Sequence, residues 1–255
     1  MKDDLQHFFE LLFSMTHKEL TARYKHTFFG FLWVFINPLI QMIVIGFIFP
    51  FFIKEPIPHY YLYLFTGLLT WNFFSLSLSK ASASIVNERS LIKKSKFPHA
   101  VIPISIILAN AINLLISFLL IVPPALYSRV LLVEQLGSFV LGFLLLLCFT
   151  IGISLLTAAL NVRFRDINFF VQASLIVWFY LTPIVYSIYS VPYNLIWIWR
   201  LNPMTSAVQF FQHAFVSFPP PGIAMIAVNS SITLFVLAIG IVVFQSESKF
   251  FDDWL

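Results

Sequence analysis

The groups in this chain that could carry chemistry lie at the edges of its apolar runs. None of its 11 carboxylates and none of its 15 lysines and arginines falls in the middle of one. Ion-coupled transporters and proton pumps need ionisable groups at membrane depth, so the pattern leaves no means for a self-energised pump. His7, His17, His26, His59, His99 and His213 are scattered and show no metal-ligand spacing. There is no phosphate-cradling glycine loop, no G-x-S-x-G elbow and no carboxylate pair at an interface. Cys148 has no second cysteine to pair with. The polar groups that do fall inside apolar runs are neutral: Asn72, Asn110, Asn113, Gln172 and Thr182. Such residues serve as helix–helix hydrogen-bonding glue more often than as ligands.

Recognition is the chemistry that remains. Residues 80–99, KASASIVNERSLIKKSKFPH, hold five cations and one acid. Asn87, Glu88, Arg89, Ser90, Leu91, Ile92, Lys93 and Lys94 form its patterned heart. Ile85, Leu91 and Ile92 offer apolar contact to a partner, with the charges around them. The plain alternative is a basic loop that sets topology and touches anionic lipid. Aromatics are the second resource, at 18% of the chain. Tyr189, Tyr193, Trp197 and Trp199 cluster after the fifth apolar run. They fit an interfacial belt, and aromatic faces also suit the C–H faces of sliding sugar rings.

The elements that position these groups follow from composition. The chain is 60% hydrophobic and 10% charged, with mean hydropathy +0.90. Soluble domains carry about 25% charged residues, so this is an all-α membrane protein. One transmembrane domain occupies residues 1–255, with six spans near 31–53, 60–78, 101–127, 138–160, 167–188 and 223–244. Residues 3–26 show i, i+3, i+4, i+7 apolar spacing and predict an amphipathic helix in the interface plane, or one packed on a soluble partner. Asp3 and Asp4 replace the basic start of a secretory signal, so no cleavable signal is expected. Ala81 to Lys94 predicts a short helix stopped by Pro98. In the fourth span Gly142, Gly152, Ser154 and Ala158 permit close helix approach. Residues 189–221 predict a re-entrant helical hairpin, with Asn202-Pro203 opening a helix that runs to about Val216.

The junction RYKHTFFGFLWVFINP, residues 23–38, turns from cations to rings. Arg23, Tyr24 and Lys25 anchor at headgroups, Gly30 lets the chain turn, Trp33 enters the apolar run and Pro38 kinks it. Six spans place both termini on one side. That side collects twelve cations and the other only Lys54, Arg129 and Arg200, so the positive-inside rule makes it cytoplasmic.

These pieces resemble the permease subunit of ABC-2 type exporters, in particular the O-antigen, capsule and teichoic-acid branch. The junction at 23–38, ERSLIKKSKFP at 88–98, NVRFRDI at 161–167 and LNPMTSAVQFFQHAF at 201–215 carry the resemblance, in the family's order. Phe29 stands where Leu is common. The resemblance implies a homodimer in the bacterial inner membrane with a channel along its axis, and two copies of a separate nucleotide-binding ATPase. ATP and Mg would be bound by that partner, with no cofactor in this chain and no catalytic residue. The 3–26 helix and the 80–99 segment would meet the ATPase, and the 189–221 hairpin would gate the outer end. The cargo implied is a lipid-linked polysaccharide, with no nucleic acid. The same family pattern also suits a drug, haem or small lipophile. Less consistent with it is a passive channel or ion-coupled transporter.

Overall fold

A computed structural model describes residues 2–25, 30–51, 57–94, 97–127 and 135–254. Residues 26–29 of the basic junction, 54–56 of the first loop, 95–96 of the 80–99 segment and the 128–134 loop with Arg129 and Glu134 lie outside the described residues. Among the described residues every regular element is helical: α1 (Lys2–Tyr24), α2 (Trp33–Ile48), α3 (Tyr60–Asn87), α4 (Arg89–Lys94), α5 (Val101–Tyr127), α6 (Leu136–Arg163), α7 (Asp166–Tyr180), α8 (Ile196–Arg200), α9 (Pro203–Val216), α10 (Ile223–Glu247) and α11 (Phe251–Trp254). Among the described residues, three helical stretches are long and apolar enough to cross a membrane: Val101–Pro123, Leu136–Arg163 and Ile223–Phe250. Trp33–Ile48 is a shorter apolar helix. Leu234, Phe235 and Val242 point outward from α10, as lipid-facing side chains do.

The centre of the bundle is α3, in which Tyr63 to Trp71 are all buried. It carries many hydroxyls for a buried helix. They donate back to its own carbonyls: Thr66 to Leu62 O at 2.7 Å, Thr70 to Thr66 O at 2.9 Å, and Ser84 to Ala81 O at 2.7 Å. Each such bond removes most of the desolvation cost of the hydroxyl. The helix continues past the expected end of the second span, to Asn87. No Pro or Gly interrupts it after Gly67, and Ala81, Ser82, Ser84 and Ile85 are packed inside the protein. The break falls at Glu88, and α4 begins there rather than near Ala81.

The fifth span is shorter as a helix than expected, because α7 stops at Tyr180. Pro183 disfavours helical backbone at the preceding residue, Thr182. The irregular 181–187 segment is instead tied to α3. Tyr60 Oη donates to Val185 O at 3.1 Å, and Tyr63 Oη lies 3.2 Å from Pro183 O and 3.0 Å from Tyr186 O. Buried carbonyls that a helix would have paired are paired by tyrosines.

After it, α9 is wedged into the bundle against α6, α3 and α10, with every residue except His213 buried. Its rings interlock with α5: Phe118 stacks on Phe211 and Phe215 at centroid distances of 4.8 and 4.9 Å. Its start is the expected cap. Asn202 Oδ1 accepts from Met204 N at 3.0 Å and from Trp178 Nε1 at 2.9 Å. Asn202 Nδ2 donates to Leu181 O and Thr182 Oγ1, both at 3.0 Å. One amide thus closes α9, α7 and the 181–187 segment together. Asn202→Ala removes all four bonds and is expected to lower stability by about 2–4 kcal/mol, read from the unfolding midpoint of the purified protein. A change within about 0.5 kcal/mol would mean the amide is not the clasp.

The tightest helix pair is α6 with α10. A Cβ built on Gly240 would lie 2.1 Å from Gly152 O, and one on Gly152 would lie 2.6 Å from Leu237 Cα. Only glycine allows two backbones this close, and without a hydrophobic effect in lipid such dispersion contact is what holds helices together. At the opposite end from Tyr60 a second, smaller core gathers Ile85, Ile92, Ile102, Leu155, Phe244 and Phe251.

Candidate functional site

Between α2, α3, α5 and α7 lies a cavity of about 920 Å³. Three polar stripes reach it. Asn72, Ser75 and Ser79 come from α3 at i, i+3, i+7; Asn110, Asn113 and Ser117 come from α5 at the same spacing; Asn37 and Gln41 come from α2 at i, i+4. These intervals place each set on one helix face. Gln172 is added by α7. Four of the five neutral polar residues singled out in the sequence therefore meet in one place. The fifth, Thr182, lies elsewhere, hydrogen-bonded by Asn202.

Their bonds partly match the role of helix glue. Asn72 Nδ2 donates to Gln41 Oε1 at 3.2 Å, joining α3 to α2. Asn110 Nδ2 donates to Ser77 Oγ at 2.9 Å, joining α5 to α3. Gln172 Nε2 donates to Ser79 Oγ, joining α7 to α3. The glue is incomplete, however. Asn110 Oδ1 and both side-chain polar atoms of Asn113 are buried with no hydrogen-bond partner. A buried amide left unpaired costs about 1–3 kcal/mol per group, and at Asn110 and Asn113 the unpaired groups adjoin the cavity.

The other wall is aromatic: Trp33, Trp71, Phe73, Phe179 and Tyr180. Trp71 meets Phe179 edge to face at 5.6 Å. Pro38 also lines the cavity, and it has no N–H to give Val34 O, another lining residue. Neutral donors and acceptors, ring faces and aliphatic side chains such as Leu68, Leu114 and Leu175 line it together, and among the described lining residues there is no carboxylate.

The sequence-derived groups fall into place around this cavity. Of the junction residues, Arg23, Trp33 and Pro38 line it. Tyr24 ends α1, Lys25 is exposed beyond it, and Gly30 has φ +50°, where any other residue is strained. Partial desolvation holds the Lys80 ammonium below the ordinary lysine range, the Arg23 charge adding to the shift and Glu19 opposing it. Along α1, Leu12 and Thr16 are buried, while Phe13 is 77% exposed. The helix thus keeps one face on the protein, against α5, and leaves another unpartnered.

In the 80–99 segment, Asn87, Arg89, Ser90, Lys93 and Lys94 are exposed and Leu91 is half-buried. Ile85 and Ile92 do not await a partner: both are buried in the smaller core beside Phe251. They are the apolar anchors that fix α4 to the chain. Glu88 pairs with Lys18 of α1 at 3.1 Å. This partly exposed pair contributes about 0–1 kcal/mol, so it aligns α1 with α4 more than it stabilises them.

Tyr189, Tyr193 and Trp197 are exposed, Tyr193 by 89%. Trp199 is half-buried and donates to Tyr186 Oη at 2.6 Å. None of the four lines the cavity. The cavity aromatics lie on α2, α3 and α7 instead, among many similar residues, and ring composition alone does not separate them.

Residues 10–216 match the model of the ABC-2 type transporter family. The chain belongs to the ABC-2 transporter family. The match spans the whole cavity and the buried α9, and leaves α10 outside. Among similar proteins is an O-antigen export system permease protein RfbA of Klebsiella pneumoniae, 33% identical over 221 residues, covering 85% of this chain and 84% of that one. The O-antigen export system permease protein RfbA of Myxococcus xanthus is 30% identical over 245 residues, covering 95% and 94%. The chain is thus a multi-pass membrane protein of the ABC-2 class, and every residue that lines its cavity lies within the matched range.

Proposed function

We propose that this chain is the transmembrane permease subunit of an ATP-driven exporter of a lipid-linked, O-antigen-like polysaccharide. The observation that carries the reading is a cavity in which neutral amides and hydroxyls of α2, α3, α5 and α7 face rings and aliphatic side chains, a mixed wall that suits a cargo with a polar glycan and a lipid tail. Hydrogen-bonding groups with shallow aromatic contacts suit the glycan, and relatives named as O-antigen export system permeases point to the same cargo.

Six spans across the bacterial inner membrane are assigned to α2, the first part of α3, α5, α6, α7 and α10, with α8 and α9 as a re-entrant hairpin. The cation bias places both termini in the cytoplasm. Two subunits face one another across their cavities and complete the channel. Tyr189, Tyr193 and Trp197 then belong to the outer end, as an exit belt. Two copies of a separate ATPase dock beneath, against the exposed side of α4 and the free face of α1. This chain does no chemistry. Force from the ATPase enters through the Glu88–Lys18 contact and the α1–α2 corner at Gly30, and reaches the cavity wall at Trp33 and Pro38.

Co-purification tests the partnership: a tagged permease expressed with its neighbouring ATPase should retain it, and a permease that retains none would speak against the assembly. Asn113→Leu tests the cavity. Leu keeps the branching of Asn at greater volume, which the adjoining cavity can take, and has no orphan polar atoms, so stability is expected to rise by about 1–2 kcal/mol. Glycan export by the assembled exporter is expected to fall several-fold at the same time. A purely structural Asn113 would give the stability change with export intact.

A further inference from the structure

We propose that Arg23 forms an anion-binding site at the basic mouth of the cavity, and that its ligand is a phosphate or diphosphate group carried on a lipid. Assigning that lipid to the exported glycan rests on the export reading above. Arg23 lies in the last turn of α1 and lines the cavity beside Trp33, Ser79 and Gln172. Its Nε and Nη2 atoms are buried and have no hydrogen-bond partner. A guanidinium stays protonated at any working pH, so it cannot relieve this state by losing its charge. Two inward N–H groups without an acceptor are costly to keep, and the cavity supplies none with a charge: among the described lining residues Arg23 is the only ionisable cation, and no carboxylate is present.

The missing acceptor has a defined chemistry. Lys80 stands close enough to feel the Arg23 charge, and Glu19 is the acid acting near it. Lys18 and Glu88 pair with each other beside Lys80, so Arg23 and Lys80 stand against the one remaining acid, Glu19, a balance that favours an anion over a neutral sugar. The planar fork of the guanidinium matches phosphate oxygens two at a time. The position suits a headgroup as well, since Arg23 sits where α1 meets the first apolar helix, and the attached hydrocarbon can remain in the bilayer while the polar part enters the cavity. A phosphate on a lipid-linked glycan and a phosphate on a bilayer phospholipid share this chemistry.

Binding to the purified full-length permease separates them, followed by the fluorescence of Trp33 and Trp71, which line the cavity. The probes are polyprenyl diphosphate, the uncharged polyprenol and phosphatidylglycerol. The wild type is expected to bind the diphosphate at least about tenfold tighter than the polyprenol, the scale of charge-assisted hydrogen bonds. Arg23→Gln should abolish that preference, and Arg23→Lys should keep part of it, which separates loss of charge from loss of fold. Undiminished preference in Arg23→Gln would overturn the site. Equal or tighter binding of phosphatidylglycerol would overturn the cargo assignment. ATP-dependent glycan export by the wild-type complex is measured in parallel. Its absence would defeat the export reading, whereas export together with unchanged binding by Arg23→Gln would defeat the anion site alone.

Discussion

Gly240→Val is expected to leave no stably folded protein. The new Cβ would lie 2.1 Å from a backbone oxygen, Gly152 O, and backbone cannot rotate aside as a side chain can. Either α10 moves away from α6 along its length or the variant carries the clash. Overpacking of ordinary cores costs about 1–3 kcal/mol, and a backbone contact lies at or beyond the top of that range. The loss also propagates, because α6 packs on α3 and α9 as well as on α10. Monodispersity in detergent and the thermal midpoint should both collapse. Gly222→Ala is the control: φ there is −64° and a Cβ meets nothing within 4 Å, so it should behave as wild type. Equal behaviour of the two variants would remove the helix crossing from the account.

Ser75→Trp should stop export without disturbing the fold. Ser75 lies between Asn72 and Ser79 on the α3 stripe and is only partly buried, and its hydroxyl bonds no more than the Asn72 carbonyl of its own helix. Little is lost on removing it, and an indole there projects into the 920 Å³ cavity proposed as the cargo path. Export is expected to fall at least about tenfold, a barrier increase of about 1.4 kcal/mol or more, with basal ATPase activity and assembly retained. Leu119→Trp makes the same addition on a side chain already 68% exposed on α5 and should be silent. Export unaffected by Ser75→Trp would mean that the cargo goes another way.

Most of the helical organisation was legible because it follows from local rules. The Asn202-Pro203 start of α9 and its end at Val216 were written in cap chemistry and a proline stop. Gly142 and Gly152 of α6 marked close crossings, although their partners, Phe210 of α9 and Gly240 of α10, could not be identified without the fold. What was not legible depended on three dimensions. Nothing at residues 80–99 says that Ile85 and Ile92 are already occupied by Phe251, some 160 residues away in the chain. Nor does local sequence show that Tyr60 and Tyr63 reach across to hold 181–187 open as non-helical backbone.

The cavity lies between these cases. Its polar residues were visible one at a time and read as glue, which Asn72, Gln172 and half of Asn110 are. Their i, i+3, i+7 register on α3 and on α5 was present in the sequence and pointed to a shared face. What sets Asn113 and Asn110 Oδ1 apart from the glue is their unpaired state, and that exists only once the helices are packed. The same holds for Arg23. In sequence it is one of several basic residues before an apolar run, and in the fold it is the cation turned into the cavity.

The most direct test is transport by the reconstituted permease. Proteoliposomes holding the chain with its ATPase, loaded with lipid-linked glycan, should move the glycan only when ATP is added, and should lose that movement with Ser75→Trp. The chain alone should move nothing under an ion gradient or at rest. Gradient-driven or nucleotide-independent flux through the chain by itself would contradict the account.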